Sequence, residues 1–335
     1  MIETIETLKQ LSDSVFIGHK RDALKIAEQT LGDFAEKKEL FGGNTAFLIK
    51  GESEKTILLE AHIDEIGFTV TGVSDNGFLS VANAGGFDLR ALPATRVTVH
   101  GKEDIPAVFT SIPPHLSKED AVFDDIAKLY IDTGLGEKAK ELISIGDFVT
   151  FRSKAANLLG TRVTGKALDN RAGVLALLLV ANILRGKRLP QNVLILLCNQ
   201  EEIGTRGAVT SAFALKPQEA ICVDVSFGDF PGISPAECGT LGEGPMLGNS
   251  PILDRDITLS LKAIADTADI PYQNEVMGGK TSTDADMVSI SREGVPTALV
   301  SIPLRNMHSP VEVVDTADIE AAAKLIAEYV LKGGR

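Results

Sequence analysis

Apolar residues recur along this chain with two different periods, and the change from one to the other divides it. RDALKIAEQTLGDFAE (21–36) carries them at helical intervals, after which TAFLIK and KTILLEAH read as strands joined by the polar turn GESE. From Glu65 to about Gly160 the helical period disappears. GFTVTGVSDNGFLSVAN predicts a strand pair about the turn Asp75-Asn76-Gly77, and RVTVHG, IPAVFT and GDFVTFRS add further short strands. Beyond residue 160 the two periods alternate. Helices are predicted over 169–185, 205–214, 253–268, 283–292 and 316–331, with NVLILLC, AICVDVS, a short stretch near YQNEV, and TALVSI as the strands between them. Near-continuous apolar strands separated by helices predict an α/β fold whose mostly parallel sheet is covered by helices on both faces. The pattern predicts a discontinuous domain, 1–64 and 161–335, with residues 65–160 inserted as a smaller β-rich domain.

Composition narrows the function more than the fold. With 335 residues the chain can bury a substantial core, and its 33 basic against 46 acidic residues give a net charge of −13, which repels nucleic acid and anionic membranes. The start, MIETIETLKQ, has neither the basic nor the apolar stretch of a signal peptide. The longest apolar run, AGVLALLLVANIL (172–184), is too short to span a bilayer. A soluble, cytoplasmic protein is therefore expected. Cys198 and Cys222 sit in apolar strand patterns and read as reduced, packed thiols; with Cys238 the number is odd, so no disulfide framework or thiolate metal site is expected.

In a sheet of this kind ligands gather at the carboxyl ends of the strands. TILLEA ends in His62-Ile63-Asp64-Glu65, NVLILLCNQ in Glu201-Glu202, AICV in Asp224 and TALVSIPLRNM in His308, while Asp169 falls where a helix begins and could serve as its cap. Any one of these has an ordinary structural reading. Together they put carboxylate or imidazole at four strand ends and one helix start, a donor set without cysteine that suits a pair of divalent ions such as Zn²⁺, Co²⁺ or Mn²⁺. Two adjacent glutamates at a strand end are costly unless water or a cation compensates them. His19, His100 and His115 lie outside this set and read as surface or structural residues. The glycines of GTLGEGPMLG (239–248) lack the Gly-Lys-Ser/Thr of a phosphate loop and read as a crossing loop near the site.

The set HIDEIGF, ALDNRAG, NQEEIGTRGA, VDVSFG and MHSPVE, in order over nearly the whole chain, resembles the co-catalytic dimetal aminopeptidases of the glutamyl-aminopeptidase and tetrahedral-aminopeptidase group. Some members of that group carry endoglucanase or deblocking-peptidase labels. The resemblance implies that His62, Asp169 and Asp224 hold one metal and Asp169, Glu202 and His308 the other, with Asp169 bridging. It also implies Glu201 as general base, Asp64 as the carboxylate orienting His62, and a cis bond between Asp169 and Asn170. Short peptides would be the substrates, and dimers built through the β-rich insertion, often twelve subunits around a chamber, the assembly. One departure stands out: in GGKTSTDADM (278–287) Lys280, Thr281 and Ser282 separate the glycines from Thr-Asp, which puts the local substrate pocket in question.

Two other enzyme classes compete with an aminopeptidase. A dimetal amidohydrolase or deacylase would use the same site but recognise an acyl group or carboxylate in place of a free amine. A glycoside hydrolase needs carboxyl groups about 5 to 10 Å apart across a sugar bond, which adjacent Glu201 and Glu202 serve poorly and which leaves both histidines without a task.

Overall fold

The computed structural model describes residues 2–113, 115–116 and 125–334. An eleven-stranded sheet runs through the larger part of the chain. At its centre lie four parallel strands, in the spatial order Asn192–Cys198, Thr56–His62, Glu219–Phe227 and Thr297–Arg305. Their side chains alternate between two apolar layers. Ile57, Leu59, Ala61, Ile195 and Val223 face one, with helices Thr4–Asp13, Asp22–Leu31, Leu168–Leu184, Arg255–Ala268 and Thr316–Leu331; Leu58, Leu196, Cys198 and Cys222 face the other, with helices Arg206–Leu215 and Ala285–Ser289. Strands apolar on both faces are what a sheet sandwiched between helices requires.

The sheet is mixed rather than mostly parallel. Thr45–Ile49 and Glu36–Glu39 extend one margin antiparallel, and Glu312–Asp315, Arg162–Gly165 and Ala156–Asn157 extend the other. Met246–Asn249 and Gln273–Val276 branch from Thr297–Arg305, so a strand replaces part of the expected crossing loop at 239–248. The expected helix 21–36 stops at Leu31, and Glu36–Glu39 is already a strand with every side chain exposed. The helix expected over 283–292 is the short Ala285–Ser289.

Six strands between residues 67 and 151 close into a small barrel: Gly67–Val73, Phe78–Ala84, Arg96–His100, Asp104–Phe109, Ile131–Asp132 and Phe148–Phe151. Gly77 closes the first hairpin at φ 81°, a left-handed conformation that glycine adopts without a side-chain penalty. The barrel has its own core, in which Phe68 stacks on Phe87 at 4.5 Å and meets Phe109 and Phe151 edge-on at 5.0 and 5.9 Å. Phe68→Ala is expected to cost about 3–5 kcal/mol, the usual loss for emptying a packed aromatic site. A loss of unfolding free energy of under about 1 kcal/mol in denaturant titration would show that this cluster does not stabilise the barrel.

Candidate active site

The parallel strands end together, and their ends bring the predicted residues to one place. His62 Nε2 lies 3.1 Å from Asp169 Oδ1 and 3.6 Å from Asp224 Oδ1, while His308 Nε2 lies 3.3 Å from Asp169 Oδ2 and 3.4 Å from Glu202 Oε2. Asp169 thus turns one oxygen to each imidazole. The donor atoms of His62, Asp169 and Asp224 fall within 4.8 Å of one another, as do those of Asp169, Glu202 and His308. Both sets are built of carboxylate oxygen and imidazole nitrogen and share one carboxylate, which fits a pair of divalent cations.

The backbone explains how Asp169 reaches the middle. It precedes the long apolar helix at its first turn with a non-helical ψ of 103°, and the Asp169–Asn170 peptide is cis. Asn170 anchors the segment, donating from Nδ2 to the carbonyl of Val223 at 2.8 Å and accepting the Gly173 N–H at 2.9 Å. Asp64 sits behind the histidine, its Oδ1 3.6 Å from His62 Nδ1, and accepts the backbone N–H groups of Glu201 and Glu202 at 3.2 and 3.3 Å. The same carboxylate therefore stands behind the imidazole and fixes the turn that splays the two glutamates.

So many acids in a buried space hold protons abnormally. Burial, opposed by His62 but reinforced by Asp224, Asp169 and Asp64, pushes Glu201 up to about 8. Burial and the Asp169 charge raise Glu202 well above the ordinary glutamate range, and burial raises Asp224. Asp169 goes the other way: burial opposes its ionisation, but hydrogen bonding to His308 and His62 holds its carboxyl well below the usual range. His62 is raised for the reciprocal reason, burial being outweighed by Asp169, Asp224 and Asp64. A bound cation inverts this pattern, because its charge favours every carboxylate in reach.

A cavity of about 830 Å³ opens over these residues, walled by Gly86 from the barrel, by Phe227, Ile252, Met277 and Ile290, and by Lys280 to Thr283. The Lys280–Ser282 departure thus faces the site. Asp286 pins it, accepting from Thr281 N and Oγ1 at 2.8 and 2.7 Å and from Ser282 N at 3.1 Å. Of the nearby arginines, Arg305 pairs with Asp229 at 2.7 Å and Arg255 lines a separate cavity. His100 is structural, bonded to Asp104 and Thr150.

Sequence reasoning missed three buried groups. Glu312 accepts the Asp169 N–H at 3.1 Å and the His308 N–H at 2.9 Å, so one carboxylate aligns both residues; it lies within MHSPVE, at a spacing that by itself carries no chemical sign. Glu65 is paired with Lys166 and lies 3.6 Å from Arg171, and its Oε1 accepts the Phe16 N–H, binding the N-terminal segment beneath the site. Glu60 and Asp284 meet below His62 beside Cys198.

A sheet whose parallel strand ends, with one helix start, gather imidazole and carboxylate groups into overlapping sets, among them His62 with both Glu201 and Glu202, is the framework of a metal-dependent hydrolase. The chain belongs to the M42 glutamyl aminopeptidase family, whose profile matches residues 43–325, and is an aminopeptidase acting on peptide bonds. It is 32% identical to a lysyl aminopeptidase of Pyrococcus furiosus over 290 residues, covering 84% of this chain and 83% of the relative. The fold matches a TET aminopeptidase from a marine-sediment Thaumarchaeota archaeon with a TM-score of 0.93 and 29% identity, covering 99% and 96% of the two chains. It also matches the TET1 peptidase of Pyrococcus horikoshii, described as assembling into a tetrahedron or a large octahedral shell, with a TM-score of 0.87 and 33% identity over 98% and 100%. The resemblance read from the motifs and the family found by comparison agree. No described helix is long and apolar enough to cross a membrane.

Proposed function

We propose that this aminopeptidase removes single residues from the N-termini of short peptides at a site for two divalent ions. His62, Asp169 and Asp224 would hold one ion and Asp169, Glu202 and His308 the other, with Zn²⁺ or Co²⁺ best suited to the donors and Mn²⁺ acceptable. The observation that carries this reading is the Asp169 carboxylate, whose two oxygens address the two imidazoles separately. The chemistry that such ions supply is polarisation of the scissile carbonyl and acidification of water. Glu201 takes the proton of the attacking water and delivers it to the leaving nitrogen, while the C–N bond breaks and the new C–O bond forms. Asp64, 3.6 Å from His62 Nδ1, is the carboxylate that orients this imidazole.

Residues 1–64 and 161–335 form the catalytic unit in this reading, its sheet extended by Ala156–Asn157, and 65–160 form the inserted oligomerisation unit, whose barrel ends at Phe151. Relatives described as a dodecamer and as a tetrahedral or large octahedral assembly support a homo-oligomer; dimers are the building block in this reading, with a dodecamer as the form tested first by light scattering. Three free cysteines fit a reducing cytoplasm.

The deciding assay compares aminoacyl-anilides, N-blocked peptides and a β-glucan, with and without a chelator. Hydrolysis of the anilides alone is expected, abolished by chelation and restored by divalent metal. Glucan hydrolysis that survives the chelator would overturn the assignment.

A further inference from the structure

We infer that the outer edge of strand Gln273–Val276 binds the main chain of the peptide substrate beyond the scissile bond, as an added β-strand. The inference rests on the peptidase reading above and names where that same site continues.

This strand pairs with Met246–Asn249 alone; among the described residues nothing pairs with its other edge. Which groups face outward follows from the bonds it does make. Gln273 N donates to the Pro245 carbonyl at 2.8 Å and Met277 N to the Asn249 carbonyl at 2.9 Å, so the odd-numbered residues face the neighbouring strand. Successive residues of a strand direct their N–H and C=O groups to opposite edges. Those of Asn274 and Val276 therefore point outward, and both residues are exposed, Val276 by 77%.

The strand borders a groove of about 440 Å³ that Asn274 and Val276 line together with Phe227, Ile233, Ala236 and, from the paired strand, Met246. Phe227, Glu275 and Met277 line this groove and the catalytic cavity alike, so the two are continuous. Glu275 is fixed at the junction by the hydroxyls of Ser226 and Ser301. An extended peptide whose first residue occupies the catalytic cavity has this groove as its continuation. Open strand edges ordinarily carry lysine, proline or a bulge, whereas the outward residues here are asparagine and valine. Recognition through backbone hydrogen bonds is the means by which an added strand is held regardless of its side chains, which suits an enzyme that must accept each new N-terminus in turn.

The test uses the metal-loaded full-length protein, an aminoacyl-anilide, and peptides of two, four and six residues with the same N-terminal residue. Extending the peptide from two residues to four should raise kcat/KM by roughly tenfold, about the worth of one or two hydrogen bonds. N-methylation of single amides beyond the scissile one should remove that gain at particular positions and spare it at the alternate ones. Val276→Pro, which deletes an outward N–H and no ladder donor, should lower the tetrapeptide-to-anilide ratio of kcat/KM by about the same factor. Should that variant misfold by circular dichroism, the N-methyl series on the parent protein decides alone. Anilide hydrolysis with neither a length gain nor a position-dependent N-methyl effect would overturn the inference and leave the peptidase reading standing; a parent protein that cleaves neither anilide nor peptide would overturn the reading itself.

Discussion

Glu201→Gln should keep the parent's metal content and lose turnover by roughly 10²- to 10⁴-fold, the range associated with a general base. The expectation comes from the geometry of the strand end. Asp64 holds the N–H groups of Glu201 and Glu202 side by side, yet only Glu202 closes on His308, at 3.4 Å. Glu201 lines the same cavity, placed to exchange a proton with whatever is bound there. A glutamine keeps the size and loses that exchange. Glu202→Gln should show the opposite order of effects, with metal affinity falling first and excess metal restoring part of the activity. Elemental analysis beside kcat separates the two, and a reversed pattern would exchange their roles.

Asp169→Asn should empty both metal positions together. Each imidazole faces its own oxygen of this carboxylate, so replacing one oxygen with an amide removes a donor from one set and the negative charge from both. Losing a hydrogen-bonding partner one step removed from a metal costs 10- to 100-fold in affinity, so loss of a shared donor should cost at least about 100-fold at each position. Titration of the metal-free protein followed by calorimetry is the measurement. Two ions still bound tightly per chain would show that Asp169 does not bridge.

Much of this was legible in the chain because the relevant signals are local. A run such as NVLILLC must be a buried strand, and the residues that follow it, Glu201 and Glu202, must emerge at its end; four such endings and one helix start specify a meeting point without any knowledge of distance. Strand direction was not legible. Burial makes the same demands of Thr45–Ile49, which runs antiparallel, as of Thr56–His62, which runs parallel to its neighbour. Nor does Glu36–Glu39 announce itself, since all four of its residues are charged and its pairing comes from the adjacent strand alone. The supporting groups are harder still. Glu65 and Lys166 stand 101 positions apart, and Glu312 serves Asp169 from 143 positions away, so only the folded chain reveals them.

The charged strand Glu36–Glu39 also bears on how the protein behaves at high concentration. A wide sheet offers its terminal strands as templates on which further copies could stack, the route to fibrous precipitate. One margin here presents the exposed charged run Glu-Lys-Lys-Glu, which an apolar strand covers poorly, and the other ends in the two-residue Ala156–Asn157. Copies meeting at these two margins gain little, so growth by sheet extension is discouraged there, and the unguarded edge of Gln273–Val276 is left for a peptide strand.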